Sequence, residues 1–185
     1  MKYHRAFLTA LFAVLLFAGE GSAADRDTQY TETDWEKLMP PDWNPARVFD
    51  GLNLDKLEDN DPRVIKAMEE FQKILDEAPV NPGVQNKAIA ISGFVASLDF
   101  TGKAALKEFL LVPYFGACIH VPPPPANQII HVIMEKPRMG IRAMDAVTVY
   151  GKLIIQESET DMGRSGYGMK ADLVEPYNEK HKKIR

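Results

Sequence analysis

Between Ile89 and Leu173 the chain carries five short apolar segments, punctuated by Gly, Pro and Asn, and two of them have a glycine in the middle. Ile89, Ile91 and Val95 alternate with Ala90, Ser92, Phe94 and Leu98 around a bend or bulge at Gly93. Phe109 to Val112 and Ile129 to Met134 are continuous buried runs, the second led in by Asn127-Gln128. Val147, Val149, Leu153 and Ile155 point inward from a strand with Gly151 at its middle. Tyr167, Met169, Ala171 and Leu173 mark a last strand that stops at Pro176, with Gly163 to Gly168 supplying the turn. Segments of uneven length with mid-strand glycines suit a curled sheet better than a flat one. The expected fold is α+β, a small OB-like, strongly bent antiparallel β-barrel over 84–176, preceded by an N-terminal helical segment over 34–79.

The helical part has its own signals. Asp61-Pro62 supplies an N-cap and a first-turn proline. Val64, Met68, Phe71, Leu75 and Ala78 follow at helical spacing, widened by Ile65 and Ile74, until Pro79 ends the pattern. This stripe is expected to pack on the core, with Lys66–Glu70 and Glu69–Lys73 on the wet side. Thr33-Asp34-Trp35-Glu36 has the form of a capping box and predicts a short helix from Asp34, stopped by Pro40-Pro41. Trp35 and Trp43 are read as hydrophobic plugs. Residues 34–176 then form one domain, flanked by a flexible lead-in over 25–33 and a basic tail over 177–185.

The first 24 residues read as a signal peptide. Lys2 and Arg5 precede the apolar run Ala6–Ala18, and Gly21-Ser22-Ala23-Ala24 offers small residues for cleavage. No other segment is apolar for the roughly 20 residues that a membrane span requires. Cleavage at Ala23 or Ala24 takes the formal charge from −4 to about −5. Such a mildly acidic chain is not read as a nucleic-acid binder. Cys118 is the one cysteine, so no intrachain disulfide forms. It lies far from the cleavage site, which excludes a lipoprotein, and a soluble periplasmic protein is the expectation.

The most unusual composition lies in Glu108-Phe-Leu-Leu-Val-Pro-Tyr-Phe-Gly-Ala-Cys-Ile-His-Val-Pro-Pro-Pro-Pro-Ala-Asn-Gln-Ile-Ile130. With Ile91-Ser-Gly-Phe94 and Thr148-Val-Tyr-Gly-Lys-Leu153 around it, this stretch resembles the signature of a bacterial exported family, domain-of-unknown-function family thirty-two ninety-nine. The resemblance covers roughly 85–176, with one departure at Val95-Ala-Ser-Leu98, where relatives usually carry a proline before the leucine. It implies a cell-envelope accessory role beside ABC-type export components in zinc-responsive gene clusters. It implies no established activity, and the membrane anchor of the lipoprotein relatives does not carry over.

Cys118 and His120 are two residues apart, which in an extended chain puts both side chains on one face with Cα atoms about 6.6 Å apart. A thiolate and an imidazole so placed suit zinc or copper(I), or a nucleophile–base pair. His131, across Pro122–Pro125 on the next strand, is the candidate third ligand, and His181 in the tail a poorer one. The bland reading is a buried Cys beside a histidine bonded to a backbone carbonyl. Glu157, Glu159 and Asp161 read as a solvated acidic hairpin, Lys136, Arg138 and Arg142 as a loose basic patch, and Lys180–Arg185 as a solvated end rather than a membrane contact.

No complete catalytic constellation is present. The leading reading is a non-enzymatic periplasmic module that binds a partner or small ligand through Cys118, His120, Asn127 and Gln128, in support of an envelope ABC-type permease complex. The alternative is a zinc- or copper-trafficking protein using Cys118, His120 and His131. The third is a thiol-dependent enzyme. The leading reading calls for no cofactor.

Overall fold

The computed structural model describes residues 29–98, 105–117 and 123–178. The signal-peptide expectation, most of the basic tail, Cys118, His120 and His181 lie outside them. Among the described residues the elements are six strands and one complete α-helix: β1 (Thr31–Glu32), α1 (Pro62–Asp76), β2 (Ala88–Ser97), β3 (Leu106–Val112), β4 (Ile130–Arg138), β5 (Ala146–Thr160) and β6 (Gly163–Pro176). The fold is mostly β-sheet with one α-helix among the described residues, which is compatible with the expected α+β class.

The strands form one mixed sheet whose pairings run in a ring: β2 to β3, β3 to β4, β4 to β6, β6 to β5, and β5 back to β2. The antiparallel expectation needs one correction, because β4 and β6 run parallel, with Ile130 opposite Tyr167 and Met134 opposite Ala171. Topology forces this. Strand directions cannot alternate all the way round a ring with an odd number of members, so one adjacent pair must be parallel. A second correction concerns Gly163 to Gly168, which is strand; the hairpin turn is shorter, with Thr160 opposite Gly163.

Both mid-strand glycines sit where another backbone comes close. A Cβ on Gly93 would lie 2.6 Å from the Val112 carbonyl oxygen, and one on Gly151 would lie 2.5 Å from that of Lys170. Gly151 also marks a register shift in the β5–β6 ladder, which lets these two long strands bend around the ring.

Ile89, Ile91, Phe109, Ile130, Val149 and Leu153 belong to the main core cluster, each at most 1% exposed. On β3, Leu110 between Phe109 and Leu111 is equally buried but packs in a second cluster with Ala96, Ala117 and Ile129. Strand alternation puts that cluster on the outer face, where Ala117 and Ile129 and, from the β5–β6 turn, Met162 pack in it.

The N-terminal part divides in two. Residues 31–38 strap the ring: β1 pairs in parallel with β2 at Ile89 and Ala90, and Thr33 N–H donates to the Ala90 carbonyl at 2.9 Å. The predicted short helix is a single 3-10 turn, Trp35–Leu38, and Asp34 makes no side-chain cap bond. The Thr33 hydroxyl is committed elsewhere, donating to the Thr31 carbonyl at 3.0 Å, so the capping box does not form.

Helix α1 starts as expected. Asp61 accepts from Arg63 N–H at 2.9 Å, and the Arg63 guanidinium returns to its carboxylate at 2.8 Å. Those side-chain bonds, then the backbone one, hold the Asp61 pKa down at about 2. The predicted core stripe is corrected. Ala67 is the helix's one buried residue, while Met68 is 52% and Ile65 46% exposed. The helix rests on the 3-10 turn Pro45–Phe49, with the Phe49 and Phe71 rings 5.2 Å apart, rather than on the sheet.

Candidate functional site

The strap and the β3–β4 connection meet at the end of the ring where β4 begins. Tyr167 is wholly buried, and its hydroxyl donates to the Leu38 carbonyl at 2.6 Å while accepting from Asn81 N–H at 2.7 Å. Burial pushes the phenol's pKa up, with the Asn81 N–H opposing. Asn81 also donates through its side chain to the Lys37 carbonyl at 2.8 Å. The Trp35 indole N–H donates to the Ser92 carbonyl at 2.7 Å, standing in for a ladder bond between the β1 and β3 pairings on that edge of β2. From the other side Gln128, in the 3-10 turn Ala126–Gln128, donates to the Trp35 carbonyl at 2.9 Å.

These bonds fix the walls of a groove of about 580 Å³. It is lined by three segments: Asp34 to Lys37 with Met39, Pro113 with Tyr114, and Pro124, Pro125 and Gln128. The lining is mainly apolar, with Asp34, Glu36 and Lys37 supplying charge. Trp35 is 7% and Tyr114 40% exposed, so one is a fixed wall and the other a ring with solvent-facing surface. Nearby, exposed Phe115 meets Phe94 edge to face, ring centroids 5.8 Å apart. This is a preformed apolar depression with few polar groups, the usual form of a small-ligand or peptide site.

The predicted site residues separate. Gln128 lines the groove, although its amide nitrogen is spent on Trp35 and on the Asn127 carbonyl. Asn127 is fully buried and donates to the Pro79 carbonyl at 2.9 Å, while its Oδ1 has no hydrogen-bond partner among the described residues. His131 lies on β4, opposite Leu110 and Gly168, with 14% of its side chain exposed. Its Nε2 is 3.5 Å from Glu108 Oε2, an electrostatic contact too long for a good hydrogen bond. Among the described residues no three His, Cys, Asp or Glu side chains gather at metal-binding spacing.

Sequence reasoning missed Pro113 and Tyr114 as groove walls and Glu108 as the neighbour of His131. It read Trp35 as a plug, whereas the residue both plugs the ring and walls the groove. The alternation on β3 places Glu108 and Leu110 on one face, and that was the available signal.

Fold and site together define a mostly β protein with a strand ring, an N-terminal strap and a preformed groove at their junction. It belongs to the DUF3299 family of proteins of unknown function, whose sequence profile matches residues 35–176. The chain is similar to a member of that family from Pseudomonas aeruginosa PAO1, known from a crystal structure. The two are 29% identical, with a TM-score of 0.61, over 80% of this chain and 97% of that one. No curated protein matches.

Proposed function

We propose that this protein is an exported, non-enzymatic module of the periplasm, which binds an apolar ligand or partner segment in the Trp35–Tyr114–Gln128 groove in support of an envelope ABC-type transport system. The groove is the observation that carries the proposal. Its walls are held by buried hydrogen bonds before any ligand arrives, so little ordering remains to be done on binding. The basic-then-apolar N-terminus with Ala23-Ala24 supports export. We read the ring as a small OB-like barrel, because its order β2-β3-β4-β6-β5 closes with β4 and β6, the third and fifth ring strands along the chain, parallel. Titrating the mature protein with an apolar fluorescent probe tests the groove. One saturable site, weakened by Tyr114→Ala and by Met39→Ser, is expected; no saturable binding, or binding indifferent to both, refutes it.

Metal trafficking is the second reading. Its support is Glu108 beside His131, on the face of β3 that carries Leu110. Zinc or copper retained after purification and lost on Cys118→Ser would establish it. Metal-free protein that takes up neither ion would end it.

A further inference from the structure

At the end of the ring away from the groove, β4 and β6 part. Their parallel pairing stops at Met134 and Ala171. Beyond that point β4 runs on beside β3, with Arg138 opposite Leu106, and β6 runs on beside β5. The seam between them is an opening of about 530 Å³, lined by Met134 to Lys136, Arg138 and Lys170 to Val174.

Arg138 reaches across it and donates through Nη1 to the Val174 carbonyl. A guanidinium has five N–H donors in a planar fork, so a tether at one nitrogen orients the rest. No carboxylate among the described residues forms an ion pair with Arg138, Lys136 or Lys170. In the β5–β6 register Lys170 also stands directly opposite Lys152, both exposed. Like charges facing each other across a ladder are unfavourable unless something neutralises them. Two carboxylates, Glu135 and Asp172, line the seam against Lys136, Arg138 and Lys170, and Lys152 opposite Lys170 adds a fourth positive charge. Positive charge is therefore in excess around a tethered arginine.

We propose that this seam is an anion site for a phosphate-bearing ligand, in which Arg138 supplies the oriented fork and Lys170 and Lys136 supply point charges. A tetrahedral phosphate suits a planar fork flanked by ammonium groups. The site is independent of the groove, so either can fail without the other. Free phosphate and the headgroup of an anionic phospholipid present the same chemistry, and two arms of one experiment separate them.

In the first arm the mature chain is titrated with inorganic phosphate at constant ionic strength, following the backbone amide signals of Arg138, Lys170 and Val174. In the second it is floated with phosphatidylglycerol vesicles and, separately, with phosphatidylcholine vesicles. Saturable shifts at those amides, weakened roughly tenfold by Arg138→Gln and several-fold by Lys170→Gln, are expected. Lys66→Gln, on α1, should change nothing. Lys170→Gln keeps the test sound if loss of the Arg138 tether disturbs the fold, because the Lys170 side chain makes no hydrogen bond or ion pair among the described residues and its backbone pairing is unchanged. Flotation with phosphatidylglycerol alone, lost in the same variants, assigns the headgroup; shifts without flotation assign soluble phosphate. The proposal is overturned if neither arm shows saturable binding, or if binding persists undiminished in both variants.

Discussion

The strap and α1 lie within 50 residues of each other and are both amphipathic, yet the ring treats them differently. Trp35 and Leu38, in a 3-10 turn of four residues, are buried and bonded to the sheet at Ser92 and Tyr167. Helix α1 spans 15 residues and buries only Ala67, leaving Ile65 and Met68 in solvent. A periodic pattern thus says that a helix has an apolar face, not that the face is covered. Hydrogen bonds between the strap's backbone and buried side chains distinguish the two regions more clearly than hydrophobicity does.

The largest effects should come from the ring that holds the strap and leaves α1 uncovered. Phe109→Ala removes a wholly buried ring from the core cluster and should cost about 3–5 kcal/mol in denaturant unfolding. Tyr167→Phe breaks one of the ties between ring and strap. It should cost about 1–2 kcal/mol, moderated because Asn81 N–H already approaches the Leu38 carbonyl at 3.3 Å. The raised phenol pKa adds a pH signature. Its stabilisation is full below the ordinary value of 10.0 and is lost as pH rises from there through the folded value, a loss absent in Tyr167→Phe.

On the helix, Asp61 is depressed from 3.8 to about 2 by Arg63. Its contribution is present above 3.8 and disappears as pH falls through about 2. Arg63→Ala should return the carboxyl toward 3.8, read by carbon NMR of the side chain. Met68→Ser should move the unfolding midpoint least, by less than about 0.5 kcal/mol, because the side chain is half exposed. A loss comparable to that of Phe109→Ala would mean that something covers α1.

Legibility followed the same division. The five β-segments, their glycine bends and the helix start at Asp61 could be read because period, turn residues and caps are local. The parallel β4–β6 pair was implicit in a five-membered ring but not in any single segment. Trp35 as a groove wall could not be read, since its role depends on Ser92 and Gln128, respectively 57 and 93 residues away. Glu108 as the neighbour of His131 needed the β3–β4 register, in which Leu110 faces His131. The exposure of Ile65 and Met68 needed knowledge of what the helix rests on, and Phe49 belongs to a turn with no periodic signal of its own.

Native-state hydrogen exchange, resolved by residue, tests most directly whether the groove stands on a rigid strap. Trp35–Leu38 and Gln128–Val132 should exchange only through global unfolding, at the same free energy as the centre of β5, while α1 opens independently at a lower one. Strap amides that open with α1, ahead of the ring, would contradict a preformed groove.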